Sequence, residues 1–342
     1  MGAFADAGAW PGVLRRLIAG EPLARDVARG ALDLVLEGEA TPAQVAAFIV
    51  ALRQKGETAD EVVGLVESMV AAAAPLDLPD PAGTVDVVGT GGSTVLDGAA
   101  FNVSTMASLV AAAAGATVCK HGNRKASSAS GAFDLLEELG VVVDLDGPGV
   151  AACVAETGVG FAFARSFHPA MRHVAPVRLE LGVPTVFNVL GPLSHPGGVG
   201  RQVLGVADPR LMELVPEVLA RRGVVHAWVV HGSDVLDELT TTASTRVVEV
   251  RGSELREFEV RPGDAGLPTA ALSDLAVGGP AENAAAARAL LAGGSGPVRD
   301  MVVLNAPLRS WWPAVPPTWP TARRRPVRRS TTAVPPVCSS GS

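Results

Sequence analysis

From Pro79-Asp80-Pro81 onward, short β-branched runs alternate with alanine-rich stretches, and this alternation constrains the fold more than any other feature of the 342-residue chain. Val85-Asp86-Val87-Val88 reads as a strand, Asn102 to Ala114 as a helix, Ala116 to Cys119 as a strand and Phe133 to Leu139 as a helix. Further strands are expected at Val141 to Val143, Gln202 to Val206, Val224 to Val230 and Arg246 to Val250. Strands that alternate with helices predict an α/β fold around a central mixed, largely parallel sheet, with ligands near the strand ends. No internal repeat is evident.

The segment before this one follows a different pattern. From Trp10 to Ala74 the apolar residues recur at three- and four-residue spacing, as in Val45, Phe48, Ile49 and Leu52, so each helix has one face to bury. Thr41-Pro42 and Thr58 supply helix-starting caps, and Gly56 closes the helix between them. A small helical domain over residues 1–75 is expected, joined by helices within about 166–195, with an α/β domain over 76–306. The stretch from Met106 to Val118 is too short for a membrane span and reads as a buried helix.

The pattern breaks a second time at Ala306. Residues 307–342 hold eight prolines, three tryptophans and six arginines with no acidic residue. Such a tail is expected to be disordered or irregular. The abruptness of the break reads as a shift of reading frame near Ala306, which would leave an exposed apolar patch where further helices should dock.

A formal net charge of −7 and a pI near 5.4 exclude general nucleic-acid or membrane-surface binding, so any anion site must be local. Cys119, Cys153 and Cys338 are too few and too scattered for a disulfide framework or a zinc knuckle. Asp6 precedes every basic residue and no secretory pattern follows Met1, which points to the cytoplasm.

Three motifs carry chemistry. Gly89-Thr90-Gly91-Gly92 follows the first strand, where glycines let backbone amides approach an anion. It lacks full dinucleotide or Walker spacing, and taken singly it is an ordinary glycine turn. Asn102-Val103-Ser104-Thr105 opens the next helix, and alone is a helix cap. Lys120-His121-Gly122-Asn123-Arg124 changes the balance, because two cations, an imidazole and an amide follow an apolar strand. Ser127-Ser128-Ala129-Ser130-Gly131 extends that loop with hydroxyl donors. Successive strand-end loops of this kind make a convergent site for a phosphorylated sugar.

With Phe167-His168-Pro169, Phe187-Asn188-Val189-Leu190-Gly191-Pro192-Leu193 and Leu236-Asp237-Glu238, these motifs resemble the anthranilate phosphoribosyltransferases, in family order from about Trp10 to Ala306. Pyrimidine-nucleoside phosphorylases are similar in architecture but have a different lysine-centred loop. The resemblance implies that Gly89, Thr90, Gly91, Gly92, Ser93, Asn102, Val103, Ser104, Thr105, Lys120, His121, Gly122, Asn123, Arg124, Ser127, Ser128 and Ala132 line a phosphoribosyl-diphosphate site. It implies that Asn123 and Arg178 contact anthranilate and act as the catalytic pair, that Ser104, Asp237 and Glu238 hold Mg2+, and that the enzyme is a homodimer. A guanidinium suits a planar carboxylate, and adjacent carboxylates supply hard oxygen ligands. His168, His173, His195, His226 and His231 lack paired metal-ligand spacing and are read as structural or peripheral.

The chain departs from the family pattern in the loop after its glycines. Ser93 stands where the family has Asp, the loop is a few residues longer, Ala100 replaces a Thr, and Asp97 is the candidate substitute for the displaced carboxylate. These departures keep two other readings open: a non-catalytic relative that binds ligand or partner, and a transferase or phosphorylase with another acceptor.

Overall fold

A computed structural model describes residues 2–91, 95–125, 129–306 and 323–325. The first part is helical: α1 (Gly2–Asp6), α2 (Ala9–Ile18), α3 (Arg25–Glu37), α4 (Pro42–Lys55) and α5 (Ala59–Ala71). Thr41 and Thr58 each form a capping box, with Gln44 and Glu61 respectively. The predicted face of α4 is buried, with Val45, Phe48, Ile49 and Leu52 all within the core. Burying side chains of this size stabilises the fold by roughly 1.5–3 kcal/mol each. Gly64 lets α5 approach α3, since a Cβ there would lie 2.2 Å from the Arg25 carbonyl oxygen.

The sheet begins with β1 (Val85–Gly89), followed by α6 (Val103–Ala113), β2 (Val118–Gly122), α7 (Ala132–Glu138), α8 (Gly147–Thr157) and β3 (Val159–Phe163). Next come α9 (Ala164–Phe167), α10 (Ala175–Leu181), α11 (Phe187–Leu193), β4 (Arg201–Gly205), α12 (Leu211–Arg221) and β5 (His226–Gly232). The chain continues through β6 (Thr245–Arg251), β7 (Glu254–Val260), α13 (Pro280–Leu291), α14 (Pro297–Asn305) and β8 (Arg323–Arg325). Strand order is β3-β2-β1-β4-β5-β6-β7-β8. Strands β3, β2, β1, β4 and β5 are parallel, and β6, β7 and β8 are added antiparallel.

Several expectations need correction. The second strand starts at Val118 and runs to Gly122, because Gly115 at φ +93° ends the preceding helix and the turn occupies residues 114–117. The expected helix from Met106 to Val118 therefore stops at Ala113. Val141 to Val143 forms no strand. Its valines serve packing instead, with Val143 buried against Phe133, Leu136 and Phe163. Strands β3 and β7 were not anticipated, although Glu254 to Val260 alternates in burial as a half-exposed strand should.

The helical core continues without a break into α10, α11 and one face of the sheet. Val174, Val177, Phe187 and Leu190 share a cluster with Phe48 and Leu52, and with Leu204 of β4. Arg53 reaches Asp208 at 3.1 Å and Arg221 pairs with Asp60, so charged contacts also join the α/β part to α4 and α5. Among the described residues no helix is long and apolar enough to cross a membrane. Apart from the backbone of Arg323–Arg325, the tail beyond Ala306 lies outside the described residues.

Candidate active site at the strand ends

Strand β1 lies between β2 and β4, where the winding of the sheet changes direction, and a crevice at such a point is the usual ligand site of an open α/β sheet. Gly89, Gly122 and Gly205 end the three strands. Asp237 closes over two of them. A Cβ on Gly205 would lie 1.5 Å from the Asp237 carbonyl oxygen, and one on Gly89 would lie 2.3 Å from its Oδ2. The Gly91 N–H donates to that same Oδ2 at 2.8 Å, so the carboxylate ties down the glycine turn. Thr90 fixes the other side, donating its N–H to Gly205 O at 2.9 Å and accepting from Ala207 N–H at 3.3 Å.

The Ser104 main-chain N–H is near enough to the Glu238 carboxylate to favour its charged form, which places Glu238 beside the start of α6. Ser104, Asp237 and Glu238, named together from sequence, are therefore gathered at one point. Burial raises the proton affinity of both carboxyls. Glu238 is raised well above the carboxylate range, with the neighbouring Asp237 charge as the second cause and Lys120 opposing. Two crowded, half-buried carboxylates of this kind suit a hard divalent cation, whose charge offsets both their repulsion and their desolvation. No group of three or more His, Cys, Asp or Glu among the described residues is arranged to hold a metal. A cation here would need further oxygens from a ligand.

The loop that carries this pair is heavily braced. Asp234 accepts from the hydroxyls of Thr240, at 2.6 Å, and Thr242. Asn305 on α14 accepts from Leu239 N–H at 2.9 Å and donates to Leu239 O at 2.7 Å. Val235 sits at φ +70°, a conformation that β-branched residues rarely adopt.

The Lys120 run divides into two halves. Lys120 and His121 belong to β2 and are buried, at 2% and 3% exposure, and Lys120 Nζ donates to Val87 O at 2.5 Å. Asn123 is exposed, its Oδ1 accepting from Arg124 N–H at 2.8 Å, and Arg124 pairs with Glu137. Gly131 lets the loop fold back, because a Cβ there would lie 2.3 Å from Lys125 N. Asp134 then accepts from both Lys125 N–H and Gly131 N–H at 2.9 Å. Asn102 exchanges two hydrogen bonds with Ser130, at 2.8 and 3.1 Å, joining the α6 start to this loop. Gly92, Ser93, Ser127, Ser128 and the side chain of Asp97 lie outside the described residues. Ala100, at the altered loop, bridges Ala276.

Arg178 lies on α10. Its guanidinium lies over the Phe187 ring, 5.5 Å from the centroid, and donates weakly to Asn188 Oδ1 at 3.5 Å. Burial lowers its pKa. Below the loop, the His121 ring lies 5.2 Å from that of His168 and 5.7 Å from that of His195. His195 Nδ1 accepts from Gly197 N–H at 3.0 Å, so Nε2 carries the proton and donates to Cys119 O at 2.9 Å. Sequence reasoning missed four buried groups that brace these loops: Asp86, Gln202, Asn305 and Asn283, whose Oδ1 accepts the Asn102 N–H at 2.9 Å. Single polar residues within apolar runs gave no signal.

The helical bundle domain of a glycosyl transferase family matches residues 11–73, and the α/β domain of a glycosyl transferase family matches residues 82–318. The fold and the strand-end crevice are thus those of a glycosyl transferase. A protein from Nocardioides sp. named anthranilate phosphoribosyltransferase is 51% identical over 297 residues, covering 87% of this chain and 85% of the relative. The anthranilate phosphoribosyltransferase of Thermus thermophilus superposes with a TM-score of 0.79 at 46% identity, covering 86% of this chain and 87% of that one. The Saccharomyces cerevisiae enzyme, solved in complex with PRPP and Mg, gives a TM-score of 0.78 at 30% identity, covering 87% and 86%. The chain belongs to the anthranilate phosphoribosyltransferase family.

Proposed function

We propose that the protein transfers the 5-phosphoribosyl group from phosphoribosyl diphosphate to the amine of anthranilate, giving N-(5-phosphoribosyl)anthranilate and pyrophosphate. This is the second step from chorismate in tryptophan biosynthesis. The observation that carries the reading is the convergence of Gly91, Ser104, Asp237 and Glu238 at the ends of β1 and β4. The glycine turn and the start of α6, tied down by Asp237 and Glu238, would flank the phosphate groups on one side, and Asn123, just past the end of β2, would flank them on the other.

Asp237, Glu238 and Ser104 would hold Mg2+, which when bound neutralises charge on the departing pyrophosphate. Arg178, its guanidinium over the Phe187 ring, would present a planar fork to the anthranilate carboxylate, and Asn123, just past the end of β2, would steady the acceptor. An aromatic amine attacks as the neutral species, so no strong general base is required. Positioning of two substrates and electrostatic stabilisation carry the rate. The broader residue set named from Gly89 to Ala132 would line the phosphoribosyl-diphosphate site, with Lys120 and His121 buried in β2 beneath it and not among the ligands; residues 1–75 and 76–306 act as helical and α/β domains, and the protein works as a cytoplasmic homodimer.

The test is loss of anthranilate fluorescence with phosphoribosyl diphosphate and Mg2+. Turnover that disappears when either is left out is expected. Folded protein that leaves anthranilate unconsumed would overturn the assignment and favour a ligand-binding relative.

A further inference from the structure

Strand β1 pairs with β4 at five positions and β2 pairs with β3 at five, yet β1 and β2 share the single register pair Val85 and Val118. In a parallel ladder alternate residues of a strand face the same neighbour. Val85 N–H donates to Thr117 O at 2.9 Å, so Val85 and Val87 face β2. Val118 N–H donates to Gly158 O on the β3 side at 2.8 Å, so Cys119 and His121 face β1. Past the first pair, ladder bonding would therefore join Val87 to Cys119 and His121. Side chains take those places instead. Asp86 Oδ1 accepts the His121 N–H at 3.1 Å. Lys120 Nζ takes Val87 O at 2.5 Å, and His195 Nε2 takes Cys119 O at 2.9 Å. Gln202 on β4 anchors the group, donating to Pro192 O at 2.8 Å and to Asp86 Oδ2 at 3.4 Å.

Asp86 is fully buried, and a carboxylate in that setting is costly unless its oxygens are bonded. Continuing the ladder would satisfy the same backbone groups without burying a charge. The arrangement does something the ladder cannot: it holds β1 and β2 apart at the end of the sheet where the Gly89 turn and the Asn123 loop emerge. We propose that Asp86 is a positioning residue for the phosphoribosyl transfer, fixing the separation of β1 and β2 and so the spacing of the two loops that hold the sugar substrate. This rests on the transferase reading above. Asp86 itself touches no substrate. It acts through the His121 main chain and through Lys120.

Asp86→Asn keeps the shape but turns one acceptor into a donor facing other donors, whereas Asp86→Ala removes the bridge. Since misplacement by about 1 Å costs on the order of 100-fold in rate, kcat/KM should fall roughly 10-fold in Asp86→Asn and about 100-fold in Asp86→Ala. KM for phosphoribosyl diphosphate should rise more than KM for anthranilate. A purely structural role would lower the melting temperature and leave both KM values unchanged well below the melting transition, and that result in folded Asp86→Ala overturns the proposal. If neither variant folds, Gln202→Met removes the anchoring amide at similar volume, and an unchanged KM for phosphoribosyl diphosphate there also overturns it. Calorimetric binding of phosphoribosyl diphosphate with Mg2+ separates the two readings. Weaker binding in the variants supports the role of Asp86 whatever the acceptor proves to be, and equal binding refutes it. No binding by the unmodified protein overturns both.

Discussion

Replacing Gly205 by alanine tests whether the carboxylate loop must rest on the strand ends. The added Cβ would lie 1.5 Å from the Asp237 carbonyl oxygen and 2.3 Å from its carbonyl carbon, whereas ordinary contact begins at 3.4 Å. One of the two backbones must therefore move by about 2 Å. Gly205 is paired on both sides, to Gly89 of β1 and Val230 of β5, so the loop is the part that yields. Its movement breaks the 2.8 Å bond from Gly91 N–H to Asp237 and carries Glu238 away from Ser104. Overpacking of this kind costs roughly 1–3 kcal/mol, and the lost charged hydrogen bond adds about 1.5 kcal/mol or more. A fall of about 3 kcal/mol in stability is expected in urea unfolding, with kcat/KM reduced by at least ~100-fold in the anthranilate fluorescence assay. Half-saturation by Mg2+ should shift to higher concentration. Gly263→Ala is the control, because a Cβ there meets nothing within 4 Å. If Gly205→Ala kept the urea midpoint and kcat/KM within about threefold of the unmodified protein, the account of how Asp237 is held would be wrong.

Arg178→Lys loses the planar fork at the acceptor site, and with a charged hydrogen bond contributing roughly 1.5–3 kcal/mol, KM for anthranilate should rise about 10- to 100-fold. Equal rises in both KM values would show that Arg178 does not face the acceptor. Val235→Asn relieves an exposed β-branched residue at φ +70° and should stabilise the fold by about 1 kcal/mol; an unchanged or lower urea midpoint would count against strain there. Burial holds His195 at about 4 against an ordinary value of 6.5, so it stays neutral in the fold while the unfolded chain takes up a proton. Stability from this group is complete above pH 6.5 and declines by about 3 kcal/mol towards pH 4. The fall in melting temperature over that window should be shallower in His195→Gln, and an identical pH dependence would exclude the group.

The residues proposed for the crevice are legible because their chemistry is local. A backbone that must approach an anion needs glycine, and a helix that opens on a phosphate needs small hydrogen-bonding side chains, so Gly89 to Gly92 and Asn102 to Thr105 signal themselves. The residues that hold those loops were not legible, because they depend on partners far away in the chain. Asp86 in Val-Asp-Val-Val has the pattern of a strand residue facing water. It is buried only because β4, more than a hundred residues later, pairs with β1 and places that strand in the middle of the sheet. Asn305 looks like the end of a helix until it is seen clamping Leu239 beside Glu238. The Lys120 run shows how a small error in a boundary becomes an error in chemistry. With the strand ended at Cys119, all five residues from Lys120 to Arg124 read as one loop of ligands. With β2 continuing to Gly122, Lys120 and His121 become strand residues whose side chains are packed within the sheet region. Only Asn123 and Arg124 lie past the strand end. One cation in the motif therefore holds the strands and the other lies in the loop, a division that follows from where the strand stops.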